Sequence, residues 1–152
     1  MSNMKTKLFL VVFAFLVIGS CGQQSESNHN NEEMSNSEED QSNQALYDKV
    51  MEVHDEVMPQ MNDIYKLKKQ LQEEITNSKD LVDDRKKKLE SLVFTLDSAN
   101  NAMMNWMRKF EPPSDTLSLE DARIYLEEQM TKINGVKAAM QEAIDKASKN
   151  TY

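Results

Sequence analysis

From residue 45 onward, apolar residues return every three or four positions. Val50, Val57, Ile64 and Leu71 recur every seven residues; Leu46, Val53 and Leu67 fill a second series that Gln60 and Glu74 interrupt. Leu89, Leu92, Leu96, Ala99, Met103, Trp106 and Phe110 step by 3 and 4 without a gap. Leu119, Leu126, Ile133, Met140 and Ala147 repeat every seven, with Ala122, Val136 and Ala143 between them. Such spacing lays each series along one stripe of a helix. The pattern predicts helices at about 44–77, 79–110 and 116–148, with their stripes packed together. Short connections make neighbouring helices antiparallel. The expected fold is all-α: an elongated antiparallel three-helix bundle, up-down-up and coiled-coil-like, over residues 44–152. Bundles this slender gain stability by self-association, which makes a dimer an expected option.

The punctuation agrees with these spans. Asn77 and Ser78, with Asp80, supply polar caps for the second helix. Pro112 and Pro113 end it, because a residue before proline avoids helical backbone. Ser118 with Asp121 resembles a capping box for the third. Pro59 lacks the N–H that would bond the carbonyl of Asp55, so the first helix should kink there. Gly135 falls mid-helix, at a cost of about 1 kcal/mol relative to alanine; close helix packing or simple tolerance would account for it.

The N-terminus follows other rules. Lys5 and Lys7 precede an uncharged apolar run of eleven residues, Leu8 to Ile18. A membrane span needs about 20, so the run fits the core of a secretory signal peptide over residues 1–20, removed on export. It ends Ile18-Gly19-Ser20-Cys21, and Cys21 is the only cysteine of the chain. This ending resembles the lipobox of bacterial lipoproteins: an aliphatic residue, two small residues, then a cysteine that is lipidated and becomes the new N-terminus. The resemblance implies membrane attachment through a lipid on Cys21 and a place in the cell envelope. Gly22 is not the aspartate that retains some lipoproteins in the inner membrane, which favours the outer membrane of a Gram-negative bacterium. Residues 22–44 hold six acids, no Lys or Arg, and Met34 as their one large apolar side chain. That composition predicts a disordered acidic tether over 21–43.

Charge narrows the function. The net charge is −8, and no basic stripe matches a phosphate backbone, so nucleic acid is not an expected partner. The run Arg85 to Lys88 lies within a helical pattern, beside Asp83, Asp84 and Glu90, as a solvated face. No phosphate loop, nucleophile elbow or zinc spacing is present, and the sequence reads as non-enzymatic.

Methionine is the remaining signal, at 11 residues in the chain. Met51, His54, Met58 and Met61 share one side of the first helix. Met103, Met104, Trp106 and Met107 lie near the end of the second. Antiparallel pairing sets His54 level with Ala102 and Met51 level with Asn105, so these residues converge at one end of the bundle, across the Pro59 kink. Thioethers and imidazole suit Cu(I), and an indole face stacks on a cation. One reading is therefore a Cu(I) site with His54, Met58 and Met61 as ligands, Met51, Met103 and Met107 as alternates, and Trp106 as a shield. This resembles, in residue types, small periplasmic copper-binding proteins. The other reading is packing, because methionine fills irregular cores and contacts aromatic rings. The first functional expectation is an interaction module for another envelope protein or a second copy. Its candidate contacts are the apolar residues outside the heptad stripes: Phe94, Met104, Ile124 and Tyr125. A holdase-like chaperone with an exposed Met surface is a further alternative.

Overall fold

The structure is a computed structural model that describes residues 29–78 and 82–151, with side chains from residue 37. The signal segment, Cys21, Gly22 and Asp80 lie outside the described residues. Four helices follow in order: α1 (His29–Val57), α2 (Gln60–Asn77), α3 (Asp83–Lys109) and α4 (Leu119–Ser148). No strand occurs among the described residues. α1 and α2 form one bent rod, and this rod, α3 and α4 pack against one another.

The bend falls at Pro59, as the sequence requires. Met58 N–H still donates to His54 O at 2.9 Å, which closes α1. Met61 and Asn62 then donate three residues back, to Met58 O and Pro59 O, each at 3.1 Å. The chain thus passes the proline through one tightened turn. Val57 and Ile64, seven residues apart across the bend, both stay buried.

Two boundaries differ from the expected spans. The start at residue 44 and the tether over 29–43 are corrected, because α1 is already helical from His29, while residues 21–28 lie outside the described residues. Asn43 is buried and its Nδ2 donates to Leu119 O at 2.8 Å, so packing begins before residue 44. Extending a helix that packing has already nucleated costs little per residue, and no Gly or Pro stands between Gln23 and Met58 to stop it. Residues 37–42 are exposed, so this stretch is polar on every side. α3 begins four residues later than expected. Its N-cap is Val82, with no side-chain cap, so Asn77 and Ser78 do not cap it. Asp83 and Asp84 occupy its first turn, where carboxylates suit the positive end of the helix dipole. α4 starts as the sequence implies, with Asp121 N–H donating to Ser118 Oγ at 3.1 Å, three residues later than the expected 116.

The core is the set of heptad stripes. Val50, Val57, Leu71, Leu89, Leu96, Met103, Ile133, Met140 and Ala147 have no exposed surface. Burying each large side chain contributes about 1.5–3 kcal/mol. Of the two interruptions in the first-helix stripe, Glu74 is met by a specific partner. Glu74 takes a hydrogen bond from Arg85 Nε at 3.0 Å, and Arg85 Nη2 also donates to Asn150 O at 2.6 Å. Lys68–Asp97 at 2.6 Å and Lys137–Glu56 at 2.5 Å tie the rods further along.

Gly135 corrects the close-packing reading. A Cβ added there meets nothing within 4 Å, so no neighbour needs the missing side chain. Gly135→Ala is therefore expected to raise stability by about 0.5–1 kcal/mol, through helix propensity alone. Urea unfolding followed by helicity checks this; a loss of stability would mean that the backbone there is under a constraint.

Candidate functional site

The bend and the aromatic end of α3 meet. His54, one turn before the bend, lies with its ring 5.8 Å from Trp106, tilted by 34°. Its Nδ1 sits 2.8 Å from Asp55 Oδ1, which leaves Nε2 as the other ring position. Phe110 stacks on Trp106 at 4.9 Å, and Tyr47 and Tyr125 flank Phe110 at 6.0 and 6.3 Å. The result is a row of rings from α1 through α3 to α4. Such stacked and tilted pairs contribute about 0.5–1.5 kcal/mol each beyond their buried area.

The sequence pattern placed His54 near Trp106, and the ring contact agrees. It missed Tyr47, whose position lies outside the heptad series. The methionines differ in burial. Met103 is fully buried, and Met58, Met61 and Met107 are half-buried and packed against the core. Met51 is half-buried outside that packed set. Among the described residues, no three His, Cys, Asp or Glu side chains group so as to hold a metal ion.

Two polar atoms in this region lack partners: Trp106 Nε1 and Gln60 Oε1 are both buried without a hydrogen bond. An unpaired buried polar group costs about 1–3 kcal/mol. Gln60 is the residue that breaks the first-helix stripe, so its burial follows from the heptad register continuing through the bend.

The candidate contact residues fall in different surroundings. Phe94 is 72 % exposed, Ile124 52 % and Met104 38 %. Tyr125 is half-buried instead, and its hydroxyl oxygen accepts from Glu111 N–H at 3.1 Å, which ties it to the α3–α4 connection. Around Ile124 the surface is charged. Arg123 bonds Glu120 at 2.8 Å and Glu127 at 2.6 Å. The Arg123 hydrogen bond, aided by its charge, holds the Glu120 carboxyl below the usual carboxylate range.

One exposed residue gains meaning from its neighbour. Tyr65 is 65 % exposed, and the heptad stripes did not single it out. Tyr65 precedes Lys68 by three residues, and Phe94 precedes Asp97 by three; residues so spaced share a helix face. Because Lys68 and Asp97 meet at 2.6 Å, the two rings flank one ion pair on a single face of α2 and α3. Ile124 lies elsewhere. Glu111 beside Tyr125 and Arg85 beside Asn150 set the α3–α4 register, which puts Phe94 about 25 Å from Ile124 along the helices.

Comparison with protein-family models, curated proteins and solved structures found no match.

Proposed function

We propose that this chain is a non-enzymatic lipoprotein of the bacterial envelope, held by a lipid on Cys21 in the outer membrane, whose helices form an interaction module. The export segment and the Ile18-Gly19-Ser20-Cys21 ending support the anchor. No helix among the described residues is long and apolar enough to cross a membrane. For the helical part we propose an antiparallel up-down-up bundle. Glu74–Arg85 and Lys68–Asp97 run in opposite directions along α2 and α3, and Asn43–Leu119 and Glu56–Lys137 run in the same direction along α1 and α4. The observation that carries the interaction reading is the pair of exposed rings, Phe94 and Tyr65, on one face beside Lys68–Asp97. Exposed aromatic side chains that the core does not need are the usual anchors of a protein interface. The occupant is another envelope protein or a second copy.

A photo-crosslinking residue placed at Phe94 or Tyr65 in cells tests this. Discrete adducts at these two positions, absent when the label is at Glu128, are the expected result. Equal or no adducts at all three would remove the face as an interface.

A second reading rests on the His54–Trp106 ring contact, with Met58, Met61 and Met107 packed nearby in the core. In that reading the cluster binds Cu(I) through His54 Nε2 and thioether sulfur. Titrating Cu(I) against a chelator, with Trp106 fluorescence as the signal, decides it. Stoichiometric quenching lost in His54→Ala and in Met58→Leu is its expected signature. Unchanged emission at unchanged helicity leaves the methionines as packing alone.

A further inference from the structure

We propose that a groove between α3 and α4 binds a small anionic amphiphile, a carboxylate head on a short alkyl body. This inference stands apart from the anchor and from the Phe94 face. The groove has a volume of about 460 Å³ and is lined only by α3 and α4, a size within the usual range for small-molecule sites. Its lining from Gln129 to Ala139 spans eleven residues of α4, or about 15 Å along the axis.

The two ends of the groove differ in chemistry. The α3–α4 register puts Lys109, Trp106 and Gln129 toward the connection, and Ala102, Val136 and Ala139 away from it. At the first end, polar groups have no protein partner. Trp106 is 6 % exposed and its Nε1 donor is unbonded; Gln129 is 5 % exposed and makes no hydrogen bond among the described residues. Lys109 makes no ion pair among the described residues, while Lys132 on the rim is paired with Glu128 at 2.8 Å. A carboxylate can accept from the Gln129 amide and the Lys109 ammonium, and both are donors. These cations stand out on a chain of net charge −8, so the local charge favours an anion.

The far end is apolar and floored by Gly135, where a Cβ would meet nothing within 4 Å. Glycine here lowers helix propensity and serves no packing contact. What it does is keep the groove open for an alkyl body.

Decanoate, kept below its micellar concentration, is a suitable probe for the chain from residue 22, which retains every buried core residue. Trp106 is the single tryptophan and lines the groove, so its emission reports occupancy. Saturable change with decanoate is expected, at least several-fold tighter than with decanol, which lacks the charge. Lys109→Gln should weaken binding about fivefold, the effect of one partly exposed charge. Gly135→Leu, or Ala139→Leu should the first variant lose helicity, should abolish it by filling the groove, while Phe94→Ser leaves it unchanged. Equal affinity for decanol, or full binding by a folded groove-filling variant, would overturn the proposal. So would sedimentation showing a dimer that Gly135→Leu dissociates, because the groove would then hold a second copy.

Discussion

Leu96→Ala is expected to destabilise the fold by about 2–5 kcal/mol, whereas Phe94→Ser, two residues away on the same helix, should stay within about 0.5 kcal/mol. Leu96 has no exposed surface and Phe94 is 72 % exposed. Truncating Leu96 removes buried apolar surface and leaves a cavity that rigid helical rods cannot close by collapse. A domain of this size has a total stability of about 5–15 kcal/mol, so one core truncation takes a large share. The contrast has functional content, since the Phe94 variant should fold normally while losing its crosslinked partner. Urea unfolding of both variants, with unchanged slope against denaturant, measures the difference. Comparable losses in the two would mean that Phe94 contributes to the fold and is not reserved for a partner.

Cys21→Ser is expected to abolish acylation and to leave the chain uncleaved, heavier by the leader at residues 1–20. The thiol is the acceptor in the lipobox reading, and a serine hydroxyl does not replace it. Acyl chains each add about 0.8 kcal/mol of membrane affinity per buried CH₂, and stable anchoring takes two such signals. The described helices offer no substitute, none being long and apolar enough to span. Metabolic labelling with a clickable fatty acid, read on a gel that separates precursor from mature chain, gives the answer. Label persisting in the variant, or processing to mature size, would place the lipid elsewhere or remove it.

Much of the helical part was legible in the sequence because the core is a linear repeat. Residues seven apart return to the same face, so Val50, Val57, Ile64 and Leu71 could be assigned inward from spacing alone, and all are buried. Pro59 could be read as a bend, because its missing N–H acts locally. The Ser118 cap is local as well, with donor and acceptor three residues apart.

Features that depend on two helices at once were harder to read. The start of α1 was missed because residues 29–43 are too polar to nucleate a helix, yet extend one that tertiary packing has started. Gly135 was open between close packing and simple tolerance, and only the neighbouring helix could show that open space lies above it. Glu74 broke the stripe in the sequence; Arg85, eleven residues on, resolves it across the connection. Tyr65 became a candidate contact only when Lys68 met Asp97.

The sequence by itself determined the helical class, the inward faces and the bend, since each rests on interactions within a few residues. The tertiary structure alone decided the row of rings on Trp106, the pairing of Tyr65 with Phe94 and the open groove at Gly135. Those depend on the relative rotation and offset of whole helices. A heptad repeat constrains these only loosely, because many offsets of seven residues bury the same stripes equally well.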